Sequence, residues 1–282
     1  MNNHKLFSKA IISCILCIFC IAVLAGCGTN SSDNSANKPA AQSTDASKPL
    51  AGKKLVLAVN ATFPPFESVK MDANGNKVFE GVDIDIVNYL AEQLGFTYEV
   101  TDMKFSGLVG ALQSKRADFV ISGISPTAER KENADFTESY FFPKTAILCK
   151  KGSNLTTKDS LENKKVSTSF GSTYEKLAKS IPGVEVVSVD SSTVAVQEVV
   201  NGRVDAAIID ALQSEKFLNA DNTLEKHIIS EETIPLDESF AIACQKNSEL
   251  TKLFDAELAK MKQNGKLNEI IKKWVGDEYV VK

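Results

Sequence analysis

The chain has 282 residues, with 32 Lys and Arg against 36 Asp and Glu, for a formal charge of −4. That mildly acidic balance, without a basic run interleaved with aromatics, argues against a nucleic-acid partner. Cys14, Cys17 and Cys20 sit at Cys-x-x-Cys spacing only inside the N-terminal apolar stretch; beyond it no Cys-x-x-Cys and no clustered His occur, so a structural zinc site is not expected and the chain calls for no cofactor.

In chain order, Lys5 and Lys9 precede an apolar stretch over 11–24, interrupted only by Ser13 and ending in Leu24-Ala25-Gly26-Cys27. A basic start, a short apolar run and a small-residue cleavage site predict a signal peptide over 1–26. The run is shorter than the roughly 18–20 residues needed to cross a bilayer. Leu-Ala-Gly-Cys resembles the bacterial lipobox, which implies cleavage before Cys27 and acylation of that cysteine, with palmitate or a similar chain. Losing Lys5 and Lys9 takes the formal charge from −4 to −6. Residues 28–49 are Ser, Asn, Ala, Lys and Pro with almost nothing large and apolar, too little to offset the entropy of ordering them. Residues 27–51 therefore read as an anchor and flexible tether, with the folded part over 52–282.

Lys-Leu-Val-Leu-Ala-Val over 54–59 predicts a strand, and Pro64-Pro65 forces a loop after it. Ile86, Val87, Leu90, Ala91 and Leu94 predict a helix over 85–94 that stops at Gly95. A strand over 96–101, a helix over 108–115 and a strand over 118–122 follow. This strand–helix rhythm indicates an α/β fold with a mostly parallel sheet. It then restarts with a strand over 165–169, a helix opening at Gly171-Ser172-Thr173, a strand over 184–189, a helix over 193–201 and a strand over 204–209. Arg116-Ala-Asp-Phe-Val-Ile121 resembles Arg203-Val-Asp-Ala-Ala-Ile208, which aligns Gly123 with Asp210 at a strand's carboxyl end. Open α/β sheets bind ligands there, so two lobes facing each other would form a cleft suited to hinge closure.

Ala146-Ile-Leu-Cys-Lys-Lys-Gly-Ser-Asn-Leu155 also resembles Ala241-Ile-Ala-Cys-Gln-Lys-Asn-Ser-Glu-Leu250. Both segments are expected to be strands crossing between lobes, with lobe 1 at about 52–145 plus 245–282 and lobe 2 at about 146–244. Side-by-side pairing would allow a Cys149–Cys244 disulfide; two buried thiols are the alternative. Two helices around Asn264-Gly265 complete the chain.

Gly81-Val-Asp-Ile-Asp-Ile-Val-Asn-Tyr-Leu-Ala91 is similar to the signature of family 3 extracellular solute-binding proteins, the polar amino-acid receptors of ABC importers. Val82 stands where that family has an aromatic or a larger aliphatic residue. Phe105-Ser-Gly-Leu-Val-Gly-Ala-Leu-Gln-Ser114, the stretch from Ala117 to Arg130 and Ala134-Asp-Phe-Thr-Glu-Ser-Tyr140 resemble the same family, and the likeness covers essentially all of 52–282. It implies a two-lobed periplasmic-binding-protein fold of type II, a free amino acid as ligand, an ABC permease as partner and a monomeric state.

An amino acid brings two charges, and a closing site must replace water at both. Arg130 is the candidate for the carboxylate, because a guanidinium is a planar bidentate fork; the alternative is a solvated helix charge. Ser125-Pro126 reads as a cap and first helical position, with Ser125 and the Gly123 backbone completing that wall. Asp210, closing an apolar strand, is the candidate for the ammonium or else a helix cap. Thr173, in the capping-box pattern Ser172-Thr-Tyr-Glu175, matches a ligand-contact position. Phe63 and Phe105 match positions whose rings pack on the ligand. Asn60 stands where many relatives have Asp, which disfavours a cationic ligand side chain, although Glu67 nearby can restore the charge. The rival classes are a dehydratase-like enzyme of the same fold and a sensor module. The expected location is the outer face of a cell membrane, with the periplasm as alternative.

Overall fold

The computed structural model describes residues 47–229, 235 and 237–279. The expected signal peptide, Cys27 and nearly all of the expected tether lie outside the described residues. Order is found slightly before Gly52: Leu50 packs into the first core, and its N–H donates to Leu94 O at 2.9 Å.

Strand β1 (Lys54–Val59) is followed by β2 (Thr62–Phe63), β3 (Glu67–Met71) and β4 (Lys77–Glu80), which form a small antiparallel sheet that the sequence pattern did not indicate. Helix α1 (Val82–Leu94) starts three residues before the expected point, because Val82, Asp83 and Ile84 are also buried against the lobe. Its N-cap is Gly81 at φ 134°, where a Cβ would sit 2.1 Å from Phe66 O; only glycine fits. Next come β5 (Thr97–Asp102), α2 (Leu108–Gln113), β6 (Phe119–Val120), α3 (Ala128–Asn133) and β7 (Ala134–Phe141).

The second half contains β8 (Thr145–Lys150), β9 (Lys165–Ser169), α4 (Thr173–Lys179), β10 (Glu185–Val189), α5 (Ser192–Val200), β11 (Ala206–Asp210), α6 (Ala211–Ala220) and β12 (Leu224–Ile228). The chain then returns through β13 (Phe240–Gln245), α7 (Glu249–Gln263) and α8 (Lys266–Val275). One five-stranded sheet has the order β5-β1-β6-β13-β7, the other β10-β9-β11-β8-β12. In each, four strands run in one direction, and the fourth in the order, β13 or β8, runs antiparallel between two of them. Each sheet is covered on both faces, as parallel sheets require: on β8, Ile147 and Cys149 enter one core and Leu148 the other.

These orders correct the reading of the two similar segments. β8 and β13 do not lie side by side. They hold equivalent places in different sheets, and that equivalence explains their likeness in sequence. Cys149 and Cys244 are accordingly separate, buried, free thiols rather than a disulfide. Phe240 to Cys244 also belong with the first lobe, because β13 pairs with β6 and β7, so the return crossing falls before Phe240 rather than at 244.

Candidate ligand-binding site

A small cavity lies where the carboxyl ends of the two sheets meet. The turn after β1 supplies Asn60, Thr62 and Phe63. Asn60 is held in place: its N–H donates to Ser122 Oγ at 2.9 Å, its Nδ2 to Met103 O at 2.9 Å, and its Oδ1 accepts from Thr62 Oγ1 at 2.8 Å. Phe63 stacks on Phe66 with centroids 5.2 Å apart. Gly123, at φ 51°, lies under that ring, and a Cβ there would meet Phe63 Cε1 at 2.6 Å.

Beneath this wall is a pair of buried carboxyls. Asp83 accepts from the Gly123 N–H at 2.9 Å and from the Tyr140 hydroxyl at 2.8 Å. Glu67 accepts from Ser122 Oγ at 2.5 Å. Burial, then the neighbouring Asp83 charge, pushes Glu67 well above the carboxylate range. Burial raises Asp83 to about 6 against hydrogen bonds from Gly123, Tyr140 and Glu67 that favour its ionised form. Of the two carboxyls, Glu67 is thus the one whose ionised form is the more disfavoured.

Arg130 comes from α3. Thr127, not Ser125, caps this helix, its Oγ1 accepting the Arg130 N–H at 3.3 Å. Ser125 is redirected: its hydroxyl donates to Glu238 O at 3.1 Å while its carbonyl accepts from Arg130 Nη1 at 2.8 Å. Nη2 reaches the opposite lobe and donates to Gly171 O at 2.8 Å, and the guanidinium lies 5.2 Å from the centre of the Phe105 ring. Burial lowers the Arg130 pKa to about 10, leaving it cationic at neutral pH. Among the described residues Arg130 takes part in no ion pair.

The second lobe contributes Ser169, Ser172, Thr173, Tyr174 and Ser192. Ser172 caps α4, accepting the Glu175 N–H at 3.1 Å, but the Glu175 carboxylate reaches the Gly171 N–H at 2.7 Å rather than closing a full capping box on Ser172. Asp210 is fully buried but does not line the cavity. Its Oδ1 accepts the Gln213 N–H at 2.9 Å, making it the cap of α6, and the Tyr174 hydroxyl, which faces the same site, lies 3.5 Å from Oδ2. Burial raises its pKa to about 7, opposed by those hydrogen bonds and by Lys226.

The structure therefore gathers Asn60, Phe63, Phe105, Gly123, Ser125, Arg130 and Thr173 around one cavity, with Asp210 one side chain behind it. Ser122 and Ser169 were missed in the sequence, although each ends an expected strand, an apolar one in the case of Ser122. Ser192 and Tyr174 gave no signal beyond helix amphipathicity. Two further contacts join the lobes: Gln213 Nε2 to Thr62 O at 3.1 Å and Lys104 Nζ to Asp190 at 2.8 Å.

The sequence profile of the bacterial extracellular solute-binding proteins, family 3, matches residues 55–277. This chain belongs to that family. Among relatives, the arginine-binding extracellular protein ArtP of Bacillus subtilis (strain 168) is 33% identical over 258 residues, covering 90% of this chain and 93% of ArtP. A crystal structure of the substrate-binding protein of an amino acid ABC transporter superposes with a TM-score of 0.73 at 32% identity, over 78% of this chain and 98% of that one. An ancestral arginine-binding protein bound to arginine gives 0.70 at 36% identity, over 79% and 98%. With these likenesses and its two sheet-containing lobes, this chain has the type II periplasmic-binding-protein fold.

Proposed function

We propose that this family 3 solute-binding protein captures a free polar L-amino acid outside the cell and delivers it to an ABC importer. The observation that carries this reading is the half-buried Arg130 guanidinium in the cavity wall, satisfied only by carbonyl oxygens and lacking an anionic partner among the described residues. A ligand carboxylate supplies that partner in bidentate geometry. An α-ammonium supplies the cation that would stabilise ionised Asp210, which burial otherwise holds partly protonated. The relatives' arginine and amino-acid ligands support the same class.

The lining also narrows the ligand side chain. Asn60 is neutral, burial and the Asp83 charge disfavour ionised Glu67, and apart from Arg130 the remaining polar side chains of the lining are hydroxyls. An uncharged polar side chain, glutamine-like, suits this wall better than a guanidinium does. Calorimetric titration with the common amino acids tests both levels. Tight 1:1 binding of an uncharged polar amino acid is expected. Preference for arginine would remove the side-chain reading alone, and silence toward every amino acid would remove the function.

The protein acts as a lipid-tethered receptor, on the strength of the Leu24-Ala25-Gly26-Cys27 lipobox and the polar tether, and as the monomer that the family resemblance implies. Tethering keeps the receptor at high effective concentration near its permease. Cys27→Ala is expected to release it from the membrane fraction and to abolish labelling by a palmitate analogue; retention of both would refute the anchor.

A further inference from the structure

The two sheets build the same corner twice, at the junction of the β8-type strand with the edge strand beside it. In the first lobe, Cys244 on β13 faces Asp135 on β7. Asp135 accepts the Asn247 N–H at 2.6 Å and pairs with Lys246 at 2.9 Å, so the corner is closed and its charge balanced. In the second lobe, Cys149 on β8 faces Glu225 on β12, and Glu225 accepts the Gly152 N–H at 3.2 Å in the same way. Two features differ. Among the described residues no lysine pairs with Glu225, and the next residue on that face of β12 is His227, where the first lobe has Thr137. His227 Nε2 is shielded from solvent, has no hydrogen-bond partner and lies 3.6 Å from Glu225 Oε1. Cys149 Sγ is 4.0 Å from the same oxygen, and all three donor atoms fall within 4.8 Å of one another.

We propose that Cys149, Glu225 and His227 form a binding site for a thiophilic divalent cation of the zinc class. Sulfur, imidazole nitrogen and carboxylate oxygen are the donor set such an ion takes, at about 2.3 Å from sulfur and about 2.0–2.2 Å from nitrogen and oxygen. Tetrahedral coordination at those lengths needs donors about 3.3–3.6 Å apart, so the side chains need only small rotamer adjustments. Glu225 already meets one neighbour in that range. The Gly152 N–H donates to the same Oε1 that faces Cys149 and His227 and fixes the orientation of the carboxylate. Cys149 is buried while Glu225 and His227 are 30% and 27% exposed, so an ion enters from the open side of edge strand β12 and keeps a water in the fourth position. Binding forms the sulfur–metal bond and releases the thiol proton to solvent. The site lies on the second lobe's sheet and shares no residue with the cavity lining.

Titration of the chelator-stripped mature chain, processed at Cys27, with Co²⁺ reads thiolate ligation through its sulfur-to-cobalt charge-transfer absorption. One equivalent is expected to saturate the band, and Zn²⁺ to displace it. Cys149→Ser should abolish the band, and His227→Ala should weaken Co²⁺ binding by at least about tenfold. Cys244→Ser, in the equivalent corner without a histidine, should change neither. Amino-acid binding by the same samples verifies that each variant is folded. Absence of the band in the wild-type chain, its survival in Cys149→Ser, or unaltered affinity in His227→Ala would each overturn the site.

Discussion

The two lobes share one strand order but fill their cores differently. The first is aromatic: Phe66, Phe96, Phe119, Tyr140, Phe141, Phe240 and Phe254 are all buried there, with centroids about 5–6 Å from their neighbours. The second is mainly Ile, Val, Leu and Ala, with Tyr174 and Phe217 as its buried rings. The chemistry divides along the same line. The aromatic lobe carries the cation and the stacking rings (Arg130, Phe63 and Phe105), whereas the aliphatic lobe supplies hydroxyls and the Asp210 carboxyl. A large ring buries 150–250 Å² in a fixed shape, so the lobe that must present a guanidinium at a defined angle is the one more rigidly filled.

Removing a ring from the first core should have the largest effect. Phe254 packs against Phe119 at 5.2 Å and Phe96 at 5.9 Å. Phe254→Ala is expected to cost about 3–5 kcal/mol by urea denaturation, whereas Ile208→Val in the second lobe should cost about 0.5–1.5 kcal/mol. Equal losses would show that the two cores contribute alike despite their composition.

The next effect is on the ligand. Arg130→Ala leaves an incoming carboxylate without its fork and should weaken binding by about 2 kcal/mol or more, roughly 30-fold. The fold should persist, because Arg130 is half-buried and bonded only to carbonyls. Near-normal calorimetric affinity would place the carboxylate elsewhere.

Asp210 tests the opposite lobe through pH. Its carboxyl, raised from 3.8 to about 7 by burial, binds more protons folded than unfolded between those values. Stability from this group is therefore full below about pH 4 and lost as pH rises to about 7, a swing of up to about 4 kcal/mol. Asp210→Asn keeps the α6 cap and should raise the melting temperature of the free protein at pH 8. It should also weaken ligand binding and flatten its pH dependence. In the wild-type chain, affinity should fall as pH drops below 7, by up to about tenfold per unit. A pH-independent wild-type affinity would separate Asp210 from the ammonium.

Much of this was legible in the sequence because it is local. The strand–helix rhythm, Gly95 as a helix stop and the Ser172 cap all depend on near neighbours. Seven of the eight candidate ligand residues line the cavity because they follow strand ends or match a family position. What escaped depends on pairing between distant segments. Nothing in the two cysteine-containing repeats tells crossing strands from equivalent strands in separate sheets; only the order β6-β13-β7 against β11-β8-β12 decides it. The seating of Asp210 behind Tyr174, and the approach of His227 to Cys149, likewise arise from packing across strands far apart in the chain.

The smallest effect is expected where the lobes meet in solvent. Lys104 and Asp190 lie 2.8 Å apart across the cleft, with side chains 70% and 62% exposed. Such pairs gain little in high dielectric and lose side-chain entropy. Gln213 and Thr62 bridge the same lobes from partly buried positions, and Arg130 spans to Gly171 beside the cavity. If closure is held by these inner contacts, Lys104→Ala should change ligand affinity by no more than about twofold at low salt. The difference should vanish near 1 M salt, where the screening length falls to about 3 Å. A tenfold loss that salt abolishes would move the closing energy outward, from the chemistry divided between the two lobes to the charges at their rims.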